Sequence, residues 1–185
     1  MKNISTRLLM TCAAIGVAGG VLFIGHAWLG LITVNTVPFV YGLTMGLYFL
    51  PGALAQALFR RPGIALLTTA LSGLVASPFQ PIFFMAFLIS LVIGVVQEIP
   101  FLVTRYRIWK PWLFVVSGLL SAVITGGAAF GILGGEDYGT AGTILIVACF
   151  IFSPLIFTMV GVWLAGALDR AGVARGLQQD ERRRR

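Results

Sequence analysis

Residues Pro81–Lys110 read PIFFMAFLISLVIGVVQEIPFLVTRYRIWK, and this stretch decides the fold. A long apolar run ends in Arg105, Arg107 and Lys110. A helix rises about 1.5 Å per residue, so about 20 apolar residues cross the roughly 30 Å hydrocarbon core of a bilayer. One acid, Glu98, lies inside the run, with Gln97 beside it. A carboxylate at membrane depth is expensive to desolvate and marks a functional site by default. Glu98 is close to Arg105 in the chain, which places it toward the basic end. A structural ion pair with Arg105 or Arg61, a coupling role and direct ligand contact are all open to it there.

The apolar-then-basic pattern recurs along the chain. It is 58% hydrophobic and 10% charged, with mean hydropathy +0.98. A soluble domain carries roughly 25% charged residues, so the composition is that of an integral membrane protein. Six apolar helices are expected, over about residues 7–27, 39–59, 64–76, 82–104, 112–133 and 140–168. Residues 28–38 are expected to break the first from the second, with Gly30, Asn35 and Pro38 as breakers. Pro51 and Pro154 are expected to kink their helices, and Pro111 to start one. The N-terminal run continues to Trp28 with no polar domain behind it, so it reads as a retained helix rather than a signal peptide.

The charges then sort themselves. All 13 Lys and Arg fall before the first segment, between the second and third, between the fourth and fifth, or after the sixth. The positive-inside rule puts those regions, and both termini, in the cytoplasm. The expected architecture is an all-α, six-transmembrane-helix bundle over residues 1–176, with 177–185 as a basic cytoplasmic tail expected to be disordered. The setting is a cytoplasmic (inner) prokaryotic membrane. The net charge of +7 is explained by topology rather than by nucleic acid. Cys12 and Cys149 are far apart and His26 is the single histidine, so the sequence offers no metal set and no disulfide signal. There is no Walker loop, nucleophile triad or pair of intramembrane acids. An enzyme is not expected, nor a cofactor, and active transport would need a borrowed ATPase.

Two further groups stand out. Ala14-x-x-x-Ala18, extended by Gly16 and Gly20, makes a smooth strip that another helix can approach closely, inside the bundle or from outside it. The loops opposite the basic ones gather Trp28, Asn35, Phe79, Gln80, Asp137 and Tyr138, with His26 nearby and Tyr41 and Tyr48 just below. Aromatic faces with hydrogen-bonding groups and an acid suit a planar, cationic organic molecule. An interfacial aromatic belt is the alternative.

Arg60-Arg61-Pro62-Gly63-Ile64-Ala65-Leu66 and Glu98-x-x-Phe101-Leu102-x-Thr104-Arg105-Tyr106, with Pro38–Gly42, carry a resemblance. The chain resembles the substrate-binding membrane subunit (S component) of energy-coupling factor (ECF) vitamin transporters, and most of all the YkoE-type thiamine/hydroxymethylpyrimidine family. The resemblance implies an outward-opening pocket and partners: a transmembrane coupling subunit, docked on Ala14 and Ala18, and two ATPase subunits. It implies a vitamin-type ligand, with Trp28, Tyr41, Phe79 and Tyr138 stacking, Asn35, Gln80 and Asp137 bonding, and Glu98 as a further contact. Where that family carries acids along its third helix, this sequence has Thr69 and Ala76. Two other readings fit the composition: a ligand-free membrane scaffold, and a stand-alone oligomeric facilitator.

Overall fold

The computed structural model describes residues 6–132 and 139–172, and of residues 7, 35 and 128–132 the backbone alone. The described residues form helices joined by short turns, without strands. In order they form α1 (Thr6–Thr36), α2 (Pro38–Thr44), a 3₁₀ segment (Met45–Phe49), α3 (Leu50–Phe59), α4 (Ile64–Ala76), a short 3₁₀ turn (Ser77–Phe79), α5 (Phe84–Val103), α6 (Pro111–Ile132) and α7 (Gly139–Arg170). Leu8–Val34, Pro38–Phe59, Phe84–Val103 and Gly139–Arg170 are long and apolar enough to cross a membrane, and Ile64–Phe79 and Pro111–Gly127 are shorter apolar helices. Large apolar side chains such as Met10, Val92, Val103, Val123 and Trp163 lie exposed along them. Exposed apolar surface on this scale fits a lipid surrounding.

The expected break at 28–38 is not there; α1 runs through it to Thr36. The hydroxyls of Thr33 and Thr36 turn back onto the Leu29 and Ile32 carbonyls, at 2.9 and 2.5 Å. Gly30 stays helical and gives room to a neighbour: a Cβ there would lie 2.9 Å from the Tyr41 ring. The helix ends because Pro38 forces the residue before it out of the helical region, and Val37 sits at φ −143°, ψ 69°.

The second apolar segment is interrupted instead. Its middle tightens to 3₁₀ over Met45–Phe49 before Pro51, which cannot donate a backbone hydrogen bond. Irregular backbone at membrane depth is tolerated where protein covers it. Ser153 of α7 does so: its hydroxyl accepts the Gly46 N–H at 2.8 Å and donates to the Leu43 carbonyl. From α5, the Gln97 side-chain amide donates to the Phe49 carbonyl at 2.6 Å.

Two basic turns close hairpins. Arg60 (φ 50°) and Gly63 (φ 77°) reverse the chain between α3 and α4, and Arg105 and Tyr106 (φ 52° and 56°) leave α5. Helix α4, bounded as expected from sequence, is central. It packs on α1, α3 and α5, while α7 packs on α3 and α6.

Candidate functional site

The end of the molecule away from the basic turns carries an aromatic cleft. Three elements build it: α1 one turn before Gly30, the α2–3₁₀ stretch, and the turn after α4. A cavity of about 190 Å³ is lined there by His26, Gly30, Tyr41, Tyr48, Gln80 and Pro81, among others. His26 stacks on Tyr41, with centroids 5.3 Å apart and planes 25° off parallel, and meets Tyr48 edge-on at 4.9 Å and 87°. Tyr48 packs in turn on Phe23, at 4.5 Å. Buried Gln80 donates to the Phe23 carbonyl at 3.1 Å, and the Tyr48 hydroxyl meets Gln80. The cleft is therefore walled by flat rings with a few fixed polar groups, as small-molecule sites usually are.

Of the residues expected at a ligand site, Tyr41 and Gln80 line this cleft. Trp28 and Phe79 do not line it: they are 56% and 61% exposed, and the Trp28 indole donates to the Phe79 carbonyl at 3.1 Å. That bond ties the middle of α1 to the turn after α4, beside the mouth. Asn35 falls within α1, with its side chain outside the described residues, and Asp137 and Tyr138 lie wholly outside them. His26 and Tyr48 are the more central rings. Both were visible in the sequence as polar aromatics near the loops, but nothing in their spacing shows that they meet.

Glu98 lies elsewhere. Its carboxylate accepts the Ala65 N–H at 2.9 Å, at the second residue of α4, so it caps a helix start whose amides point at negative charge. Gln80 follows the other end of α4, and Ala65 to Ala76 alone spans roughly 17 Å at helical rise. Glu98 is thus not a member of the aromatic cleft. Tyr106 sits beside it; desolvation first, and then the Glu98 carboxylate, push the Tyr106 hydroxyl up to about 12. Thr69 and Ala76, at the positions of the expected family acids, are fully buried, and the Thr69 hydroxyl bonds the Ala65 carbonyl at 2.8 Å.

A larger cavity, about 440 Å³, opens at the basic end between α3, α6 and α7, lined by Arg60, Trp109, Phe114 and Asp169 among others. On α1, Ala14 and Ala18 are exposed while Gly16, Gly19 and Gly20 are buried. Successive residues turn about 100° around a helix, so the alanines and the glycines occupy different faces. The glycine face meets α4, where a Cβ on Gly16 would lie 2.7 Å from Leu71 and one on Gly20 2.8 Å from Val75. The continuous strip expected from sequence is therefore two strips, one internal and one free.

Comparison with known proteins agrees with this architecture. Residues 7–124 match the family described as ABC-type cobalt transport system, permease component. The YkoE protein of Bacillus subtilis (strain 168), named as a candidate HMP/thiamine permease, is 23% identical over 183 residues, covering 96% of this chain and 90% of its own length. A crystal structure of an S component of an ECF transporter superposes with a TM-score of 0.82 at 20% identity, over 98% of this chain and 95% of that one. The chain is a multi-pass membrane transport protein rather than an enzyme; it belongs to the family of ABC-type cobalt transport system permease components and has the fold of an ECF S component.

Proposed function

We propose that the protein captures a vitamin-type small molecule in the His26–Tyr41–Tyr48–Gln80 cleft and releases it inward when docked on an ATP-driven module. That module would be a transmembrane coupling subunit with two ATPase subunits, in the cytoplasmic membrane of a prokaryote. The cleft carries the reading: a ring-walled cavity at the end opposite the basic turns, which the positive-inside rule assigns to the outside, with both termini cytoplasmic. Thiamine or its hydroxymethylpyrimidine precursor is the substrate favoured by the similarity to YkoE. A metal ion is the weaker choice, because no group of three His, Cys, Asp or Glu gathers among the described residues. Trp28 and Phe79 flank the mouth of the site in this reading, Asn35, Asp137 and Tyr138 are kept as proposed ligand contacts on the sequence alone, and Ala14 and Ala18 form the proposed docking face.

Equilibrium binding of thiamine and of hydroxymethylpyrimidine to the purified protein tests the proposal. Saturable binding of at least one is expected. A folded protein that binds neither sinks the substrate assignment. In proteoliposomes, accumulation should require the coupling subunit and ATP hydrolysis; equal uptake without them would make the chain a facilitator.

A further inference from the structure

The cleft contains one group that the fold leaves unsatisfied. His26 is 3% exposed, and neither ring nitrogen has a hydrogen-bond partner among the described residues. Two other polar side chains of the cleft are already engaged: Gln80 with the Phe23 carbonyl, and the Tyr48 hydroxyl with Gln80. The imidazole stacks on Tyr41 and meets Tyr48 at a near-perpendicular angle, so the plane of the ring is held. A buried polar group without a partner is costly, and its presence in a native core calls for a reason. A partner that arrives with the ligand supplies one. An uncharged imidazole offers one donor and one acceptor.

The dimensions narrow the ligand further. The cavity holds about 190 Å³, below the roughly 300–1,000 Å³ typical of sites for drug-sized molecules. It suits one substituted ring rather than two linked rings. No carboxylate lines it among the described residues, and an unpaired cation is expensive to bury.

We propose that His26 reads the ligand: its ring nitrogens pair with the hydrogen-bonding edge of a single, flat, uncharged N-heteroaromatic ring of the aminopyrimidine kind, held among Tyr41, Tyr48 and Gln80. The proposal rests on the cleft being the transport-substrate site and specifies which chemistry that site selects.

The probes are hydroxymethylpyrimidine and thiamine, titrated into the full-length protein, into His26→Phe and into His26→Gln. The wild type binds hydroxymethylpyrimidine at least as tightly as thiamine. His26→Phe keeps a ring but loses both nitrogens, so its affinity for hydroxymethylpyrimidine falls at least about tenfold, the equivalent of a hydrogen bond left unmade. His26→Gln, which keeps a donor and an acceptor, recovers part of that loss. Without ligand, His26→Phe unfolds at the wild-type temperature or above it, because the nitrogens it removes have no partner in the free protein.

Four results would overturn the proposal. If the wild type binds neither probe, the substrate assignment of the preceding section falls as well. If the wild type binds and His26→Phe binds equally well, this inference alone falls. Thiamine bound without hydroxymethylpyrimidine removes the single uncharged ring. A ligand-free His26→Phe protein that is less stable than wild type, or does not fold, makes His26 a packing residue.

Discussion

Glu98 shows how far one residue can be read. Its rank as the acid inside an apolar run was legible, because a carboxylate there needs a reason. The reason was not legible: its partner, the Ala65 amide, is 33 residues away in sequence and arrives only through the packing of α5 on α4. The two sequence signatures that carried the family resemblance are joined by this hydrogen bond. Replacing Glu98 by Ala strands a buried amide at a helix start, which costs about 1–3 kcal/mol. Glu98→Gln keeps an acceptor and should lose less. Thermal unfolding in detergent measures both, and ligand affinity should be unchanged in Glu98→Gln. An affinity loss without a stability loss would return Glu98 to the ligand site. Tyr106 adds a pH signature. Its hydroxyl ionises near 12 in the folded protein against 10 in the reference state. The folded state therefore holds the proton more tightly. The corresponding stability is fully present below pH 10 and is lost as the pH rises toward 12. Tyr106→Phe should flatten this part of the alkaline unfolding profile, followed by fluorescence; an unchanged profile would dismiss the raised ionisation of Tyr106.

At the scale of elements, proline and glycine were read with mixed success, and the misses share a cause. Gly30 reads as a breaker when only local propensity is weighed. In the fold it is the position where the Tyr41 ring packs against α1, so the tertiary contact outweighs the local cost. The 3₁₀ segment before Pro51 was legible as a disturbance but not in form, because its polar groups are satisfied by Ser153 and Gln97 from distant helices. Gly46 sits at the seam. A Cβ there would run into the Ser153 carbonyl and hydroxyl and the Phe157 ring. Gly46→Ala should therefore push α7 away and cost about 1–3 kcal/mol, the range for overpacking. Gly25, also in a membrane-spanning helix, has nothing within 4 Å of a built Cβ. Gly25→Ala should be neutral or slightly stabilising by helix propensity. Denaturation midpoints of the two variants give the comparison. Equal effects would mean that α7 does not close on the interrupted helix as described.

For the whole molecule, the placement of Lys and Arg sets an expected sidedness without any contact being known, because topology depends on where charges fall between apolar segments. The division of labour around α1 was not legible, since a small residue reads the same whether it faces a neighbour in the same chain or lipid. The structure separates the two cases. Gly16, Gly19 and Gly20 are consumed by packing inside the bundle, and Ala14 and Ala18 remain outside it. The cleft and the alanine face are thus different surfaces of one helix, with His26 on the former and Ala14 and Ala18 on the latter. If the alanine face receives the coupling subunit, Ala14→Trp and Ala18→Trp together should abolish energised uptake while leaving ligand affinity at the wild-type value. A bulky residue there removes the close helix approach that association in lipid depends on and touches neither the bundle interior nor the cleft. Gly20→Trp, by contrast, should prevent the packing of α1 on α4 and lower the unfolding temperature before any question of docking arises. Uptake with the full module, binding to the isolated protein and thermal unfolding distinguish the two faces. Uptake that survives the double alanine replacement would move the docking surface away from this face of α1.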